Sequence, residues 1–104
     1  MDRLEEIENQ MALNQNDLEH AAMDYFTYKR EVDVLRAKTL RTIESGTVAE
    51  REARVTEIVA ASDLWGTFVK AEAAYESLRL AQRSLGDRAS IGQSILRTQQ
   101  RAAA

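Results

Sequence analysis

Residues 42–54 read "TIESGTVAEREAR", and this stretch carries the clearest turn signal in the chain. Gly46 can adopt the left-handed conformation that closes the C-terminus of a helix. Thr47 is followed three residues later by Glu50, the spacing of a capping box, in which the Thr hydroxyl accepts a hydrogen bond from the Glu amide. One helix is therefore predicted to end near residue 45 and another to begin at Val48. Because the connection is short, we expect the two helices to be antiparallel neighbours.

The rest of the chain has a composition that favours helix. Its 104 residues include no Pro and only four Gly, so the residues that break helices most strongly are scarce. Val, Ile, Tyr and Phe do not alternate with polar residues over a run long enough for a strand. A chain of this length corresponds to one domain. We therefore predict a single all-α domain over residues 1–104.

Apolar residues recur in steps of three and four on both sides of the turn, as in the seam of a coiled coil. The first seam comprises Leu4, Ile7, Met11, Asn14, Leu18, Ala21, Tyr25, Tyr28, Val32, Leu35, Thr39 and Thr42. The second comprises Val48, Val55 and Ile58 and then, after a one-residue slip, Ala61, Leu64, Phe68, Ala71, Tyr75, Leu78, Gln82, Leu85, Ala89 and Leu96. This spacing predicts a long antiparallel helical hairpin: a helix over 2–45, a turn at 46–47 and a helix over 48–84. Gly86 and Gly92 favour a break or kink, so residues 88–100 should either continue the second helix or form a short third one.

Asn14 is a polar residue within the first seam. A buried Asn at such a position weakens a coiled coil but selects its register or partner number. The alternative interpretation is that Asn14 lies where the helix end frays and is simply solvated. The sequence favours neither.

Folding the chain at Gly46 pairs residues whose numbers sum to about 92. This pairing predicts that Trp65 lies near Phe26 and Tyr28 and that Phe68 lies near Tyr25. The same pairing places the C-terminal segment beside the N-terminal one, and these two ends are opposite in charge although the net charge is only −3. Residues 1–24 contain seven acidic residues and one Arg, whereas residues 79–104 contain five Arg and one Asp. We expect Arg83 and Arg88 to lie alongside the acidic residues Glu5, Glu6 and Glu8.

A second apolar stripe remains after the seams are paired. It comprises Met23, Phe26 and Val34 on the first helix and Trp65, Val69, Leu80, Ile91 and Ile95 on the second. Apolar stripes left uncovered by intramolecular pairing usually mark a partner surface. We predict that this outer stripe forms the interface of a homo-oligomer. Alternatively, the C-terminal piece folds back as a third helix and covers it.

No pattern in the chain indicates an enzyme. The absence of Cys excludes disulfides and thiolate sites, and the single histidine, His20, is predicted to be a solvated surface residue. We therefore expect no metal, no cofactor and no small-molecule substrate. No apolar run is long enough to cross a membrane, and the acidic start "MDRLEEIENQ" does not resemble a signal peptide. These features predict a cytoplasmic protein.

The basic stretch "YKREVDVLRAKTLR", residues 28–41, is the best candidate for a ligand surface. Its cations can contact a phosphate backbone, and Tyr28 or Phe26 is available to stack on bases. The candidate nucleic-acid contacts are Lys29, Arg30, Arg36 and Lys38. The alternative is a solvated helix face whose cations pair with Glu31 and Asp33 along the same helix.

Several stretches together resemble the UvsY-type recombination mediators of phages: "MDYFTYKREVDVLRAK", the turn "SGTVAERE", and the later "YESLRLAQRSL" and "SILRTQ". This chain is shorter than those mediators. The resemblance implies a non-catalytic helical homo-oligomer that binds single-stranded DNA and helps to load a recombinase onto DNA coated by single-strand binding protein. The family element that precedes the inter-helix turn resembles "LRAK", which implies DNA contacts at Arg36 and Lys38. If the chain is phage-encoded, its compartment would be the host cytoplasm.

Two hypotheses for function follow. The first is a phage-type homo-oligomeric recombination mediator, or a related accessory protein that binds single-stranded DNA. The second is a coiled-coil protein-interaction module, an adaptor or an inhibitor of a host protein, with no nucleic-acid contact. The net negative charge favours the second hypothesis. Whether the basic segment is free or neutralised distinguishes the two.

Overall fold

The computed structural model describes residues 2–103, and nearly all of them are helical. Helix α1 spans Arg3–Thr42, α2 spans Val48–Ala60, and α3 spans Asp63–Ala103. No strand occurs in this part of the chain. The prediction of an all-α protein is confirmed.

The helices form two compact units. The terminal unit combines the residues up to His20 with those from Glu76 onward, and the turn unit is Ala21–Tyr75. That the whole chain folds as one domain stays a prediction.

In the terminal unit, the start of α1 pairs with the end of α3. Leu4 lies against Gly92, where an added Cβ would approach the Leu4 Cδ1 atom to 3.1 Å. Asn14, ten residues further along α1, reaches Leu78 and Gln82. Because residue numbers rise along α1 as those of their partners fall along α3, the two helices are antiparallel here.

In the turn unit, the second half of α1 pairs with α2 and with the start of α3. Arg36 reaches Thr56 of α2, and the Tyr25 ring lies 5.8 Å from the Phe68 ring of α3. The pairing is again antiparallel, so the predicted helical hairpin is confirmed in each unit. A small core is buried here, comprising Val32, Ile43, Val55, Val59 and Phe68, with Tyr25, Tyr28, Leu35, Leu64 and Trp65 packed against it.

The turn forms at the predicted place, although α1 ends three residues earlier than residue 45. The Thr42 hydroxyl donates to the Thr39 carbonyl at 2.7 Å, and Ile43 then turns its side chain into the core. A hydroxyl that binds the backbone in this way competes with continuation of the helix. Gly46 has a φ of 107°, and the Thr47 hydroxyl accepts from the Glu50 amide at 3.2 Å. The predicted left-handed Gly and the predicted cap of α2 are therefore both present.

The prediction of one helix over 48–84 is wrong, because α2 ends at Ala60 and α3 begins at Asp63. The side chain of Ser62 accounts for this break. Its hydroxyl donates to the Val59 carbonyl at 2.6 Å and accepts from the Trp65 amide at 3.2 Å. One side chain thus closes α2 and caps α3.

The break changes which residues of the second seam are buried. In α2 the buried residues are Val55 and Val59, whereas Val48 and Ile58 are exposed. A separation of four residues keeps Val55 and Val59 on the same side of α2. The predicted one-residue slip coincides with the break, and Ala61 at this position is exposed. Beyond the break, the seam residues from Leu64 to Ala89 are buried or half-buried, and Leu96 is exposed.

Helix α3 continues through Gly86 and Gly92 without interruption. No break occurs near Gly86, and residues 88–100 belong to α3 rather than to a separate helix. The seam explains this continuity, because Leu85 and Ala89 keep their spacing across Gly86 and remain at least half-buried. The alternative in which the C-terminal piece folds back over the outer stripe is therefore wrong.

Candidate nucleic-acid and oligomer surfaces

The four candidate DNA-binding cations lie on two lines along α1. Lys29 and Arg36 are seven residues apart, so they lie on one side of the helix. Arg30 and Lys38 lie on another line, with Val34 midway between them. This second line borders a shallow groove whose other walls are Glu31 and Leu35. The structure therefore groups these cations in pairs rather than in a single cluster.

The pair Lys29 and Arg36 has contacts within the chain. The Lys29 ammonium lies 5.9 Å from the centre of the Tyr25 ring, which is within the range of a cation–π interaction. Arg36 is half-buried, and its guanidinium donates to the Thr56 hydroxyl at 3.5 Å, a long hydrogen bond. Part of the role of Arg36 is thus to connect α1 with α2.

The pair Arg30 and Lys38 is exposed and has no direct partner. Within residues 2–102, neither side chain has a hydrogen bond or an ion pair. Glu31 and Asp33 are exposed on the same helix, yet neither forms an ion pair with these cations. No intrahelical ion pair forms between these residues, but the exposure of both cations fits the alternative of a solvated helix face. Within the basic segment, Arg30 and Lys38 thus have no direct ion-pair partner, although Glu31 borders the same groove.

The two ends of opposite charge meet in the terminal unit without ion pairs. Arg88 and Glu6 border the same groove, whose apolar walls include Leu4, Ile7 and Ile91. Neither Arg83 nor Arg88 has a carboxylate within 4.0 Å among the residues that the structure describes. A local ion pair within α3 joins Arg79 to Glu76 at 3.2 Å. The predicted proximity of the two ends holds for Arg88 and Glu6, but it produces no salt bridge.

The outer stripe is uncovered in both units. In the turn unit, Met23, Phe26, Val34 and Val69 have 42% to 70% of their surface exposed. In the terminal unit, Leu80, Ile91 and Ile95 are 54% to 62% exposed. Trp65 differs from this set, because it is half-buried and its ring packs 5.4 Å from that of Phe68. We therefore correct the predicted stripe by removing Trp65, whose side chain belongs to the core.

Other predicted features lie outside these surfaces. His20 is exposed, and its Nδ1 atom lies 2.9 Å from the carbonyl oxygen of Asn16. In residues 2–102, no group of three or more His, Cys, Asp or Glu side chains is arranged to hold a metal ion. None of the helices in this range has an apolar stretch that could span a bilayer.

Comparison with protein-family models, with curated proteins and with solved structures finds no match to this chain.

Proposed function

We propose that this protein is a homo-oligomeric accessory protein that binds single-stranded DNA along α1, in the manner of a recombination mediator. The observation that carries the proposal is the exposed pair Arg30 and Lys38, neither of which has an ion-pair partner among the residues that the structure describes. A cation without a carboxylate partner is able to neutralise a phosphate, and binding is then favoured by release of the counterions of the nucleic acid. The resemblance to UvsY-type mediators adds a recombinase and single-strand binding protein as expected partners.

Oligomerisation strengthens DNA binding in this proposal. One subunit offers only a few cations, and its net charge is −3. Several copies joined through the outer residues of the terminal unit, Leu80, Ile91 and Ile95, would present several basic segments to one strand. Each further segment would then bind at a high effective concentration, so weak single contacts would add up to a stable complex.

The proposal is tested by two double variants, each of which removes one pair of cations. The first is Arg30→Gln with Lys38→Gln, and the second is Lys29→Gln with Arg36→Gln. We expect the first to weaken binding of a fluorescein-labelled oligo-dT strand, measured by anisotropy at several salt concentrations. The slope of log affinity against log salt concentration should become shallower by about 0.7 for each lost phosphate contact. The second should have a smaller effect, since Arg36 is already engaged with Thr56.

Lys70→Gln is the matched control, because Lys70 is an exposed cation on α3 rather than on α1. We expect it to leave the affinity and the salt slope nearly unchanged. If both double variants bind oligo-dT with the native affinity, α1 is not the DNA-binding surface. If the native protein ignores the strand at low salt, the proposal is wrong as a whole.

The second candidate function is a protein-interaction module without nucleic-acid contact. The exposed apolar residues of each unit favour it, because they fit a protein partner as well as a second copy. Size-exclusion chromatography with light scattering, with and without the oligonucleotide, separates the two functions. A defined species that does not shift with DNA supports the interaction module.

A further inference from the structure

Phe26 is the exposed member of the aromatic cluster in the turn unit. All six aromatic residues of the chain are described by the structure, and Phe26 alone is exposed, with 53% of its surface accessible. Tyr28, the other residue considered for stacking, is half-buried and packs against the core. The structure thus distinguishes two residues that the sequence left equivalent.

The Phe26 ring is held in place although it is exposed. Tyr25 meets it at 5.0 Å in a T-shaped arrangement, and Tyr75 of α3 meets it at 5.8 Å. A ring positioned in this way loses little conformational freedom when a flat ligand stacks on it. The site is therefore preorganised within one unit.

Two cations lie next to Phe26 on the surface of α1. Lys29 and Arg30 lie three and four residues beyond Phe26, so they occupy the neighbouring positions on the surface of the helix. Both are exposed, and neither forms an ion pair in the residues that the structure describes. Asp33 lies one turn beyond Lys29 and is exposed without an ion pair to it. Lys29 also lies over the Tyr25 ring at 5.9 Å, whereas Arg30 has no such contact. An aromatic face beside exposed cations suits single-stranded nucleic acid, since bases stack on the ring and the cations attract phosphates.

We infer that Phe26 is a stacking platform for a base of single-stranded DNA, with Lys29 and Arg30 contacting the adjacent phosphates. This inference rests on the proposed DNA binding and names the residue that recognises the bases. It also reassigns Phe26, which the outer stripe places in a contact between copies.

The test compares Phe26→Leu with Phe26→Tyr in the full chain. Leu keeps an apolar side chain of similar size but removes the flat ring, whereas Tyr keeps the ring. Each protein is titrated against labelled oligo-dT and against an abasic strand of equal length, which has phosphates but no bases. We expect Phe26→Leu to weaken oligo-dT binding about tenfold. Binding of the abasic strand, and the salt slope for oligo-dT, should stay unchanged, because Phe carries no charge. Phe26→Tyr should keep the native affinity.

Leu40→Met serves as the control, since Leu40 is an exposed apolar residue of α1 that belongs neither to the outer stripe nor to the candidate DNA contacts. The inference is overturned if Phe26→Leu binds oligo-dT as tightly as the native protein does. It is also overturned if the loss is equal on both strands and light scattering shows a smaller assembly, because Phe26 would then join copies of the chain.

Failure of the inference is distinguishable from failure of the proposed function. If Arg30→Gln with Lys38→Gln weakens oligo-dT binding while Phe26→Leu does not, only the stacking role is wrong. If the native protein binds neither strand, DNA binding and stacking fall together.

Discussion

Asn14 is a polar residue in the first seam, and its side chain has partners on the opposite helix. Its Nδ2 atom donates to the Leu78 carbonyl at 3.2 Å and to the Gln82 side-chain oxygen at 2.9 Å. Gln82 in turn donates to Gln15 at 3.3 Å. A shift of either helix along the seam would leave these groups without partners. The interpretation of Asn14 as a register-selecting residue is therefore supported over the solvated one.

We predict that Asn14→Ala lowers the free energy of unfolding by about 1–2 kcal/mol, because two partly buried hydrogen bonds are lost. Urea denaturation followed by circular dichroism measures this change. Asn16→Ala is the matched control, since Asn16 is exposed and its side chain has no bond to α3. An Asn14 variant that is as stable as this control would show that the polar layer contributes nothing to the pairing.

At the scale of the helices, the turn and the break rest on different chemistry. The turn depends on a backbone conformation that glycine adopts easily, with a φ of 107° at Gly46. The break depends on one hydroxyl, that of Ser62, which binds the backbone on both sides of the gap. The Gly signal is readable in the sequence. The Ser signal is weaker, because serine occurs both within helices and at their ends.

Replacing glycine with alanine should change the stability of the protein in opposite directions at two positions. Gly46→Ala should destabilise the protein by about 1–2 kcal/mol, because an alanine at this position would be forced into a backbone conformation with positive φ. It would also lie 3.2 Å from a carboxylate oxygen of Glu50. Gly66→Ala should stabilise the protein by about 0.5–1 kcal/mol, since Gly66 is inside α3 and an added Cβ has no atom within 4 Å.

Thermal unfolding of the two variants and the native protein measures the difference. Equal melting temperatures for both variants would mean that an alanine at position 46 tolerates the positive φ as well as glycine does. A lower melting temperature for Gly66→Ala would indicate that its open side is covered, for example by a second copy.

At the scale of the whole molecule, the amount of exposed apolar surface is the dominant feature. The buried core is small and confined to the turn unit, apart from Ala89. Small domains have difficulty burying enough surface to be stable on their own. Association is the simplest way to bury the outer residues of each unit, and it connects stability with the proposed function.

We predict that the protein in solution is a homo-oligomer, with a mass of at least two chains of 11.7 kDa each. The double variant Leu80→Gln with Ile91→Gln should shift this mass downward, because both side chains are exposed in the terminal unit and would be buried in an interface. We expect dissociation at concentrations at least about tenfold higher than for the native protein. Light scattering coupled to size-exclusion chromatography measures both quantities.

Leu13→Gln controls for a general effect of removing an exposed apolar side chain, since Leu13 is 70% exposed but does not belong to the outer stripe. Its mass should equal that of the native protein. A native mass of 11.7 kDa at high concentration would rule out the homo-oligomer and shift the outer residues to a different partner.

The sequence by itself determined the helical class, the turn at Gly46, the cap at Thr47 and most of the seam, because each depends on interactions within a few residues or on a repeat that a single helix imposes. The tertiary structure decided which neighbour is buried where the pattern is ambiguous. Val59 rather than Ile58 enters the core, Phe26 rather than Tyr28 stays exposed, and α3 continues through Gly86. The partners of Asn14 belong to this second group. These outcomes depend on where the opposite helix lies, and that position is set by packing between residues that are far apart in the chain.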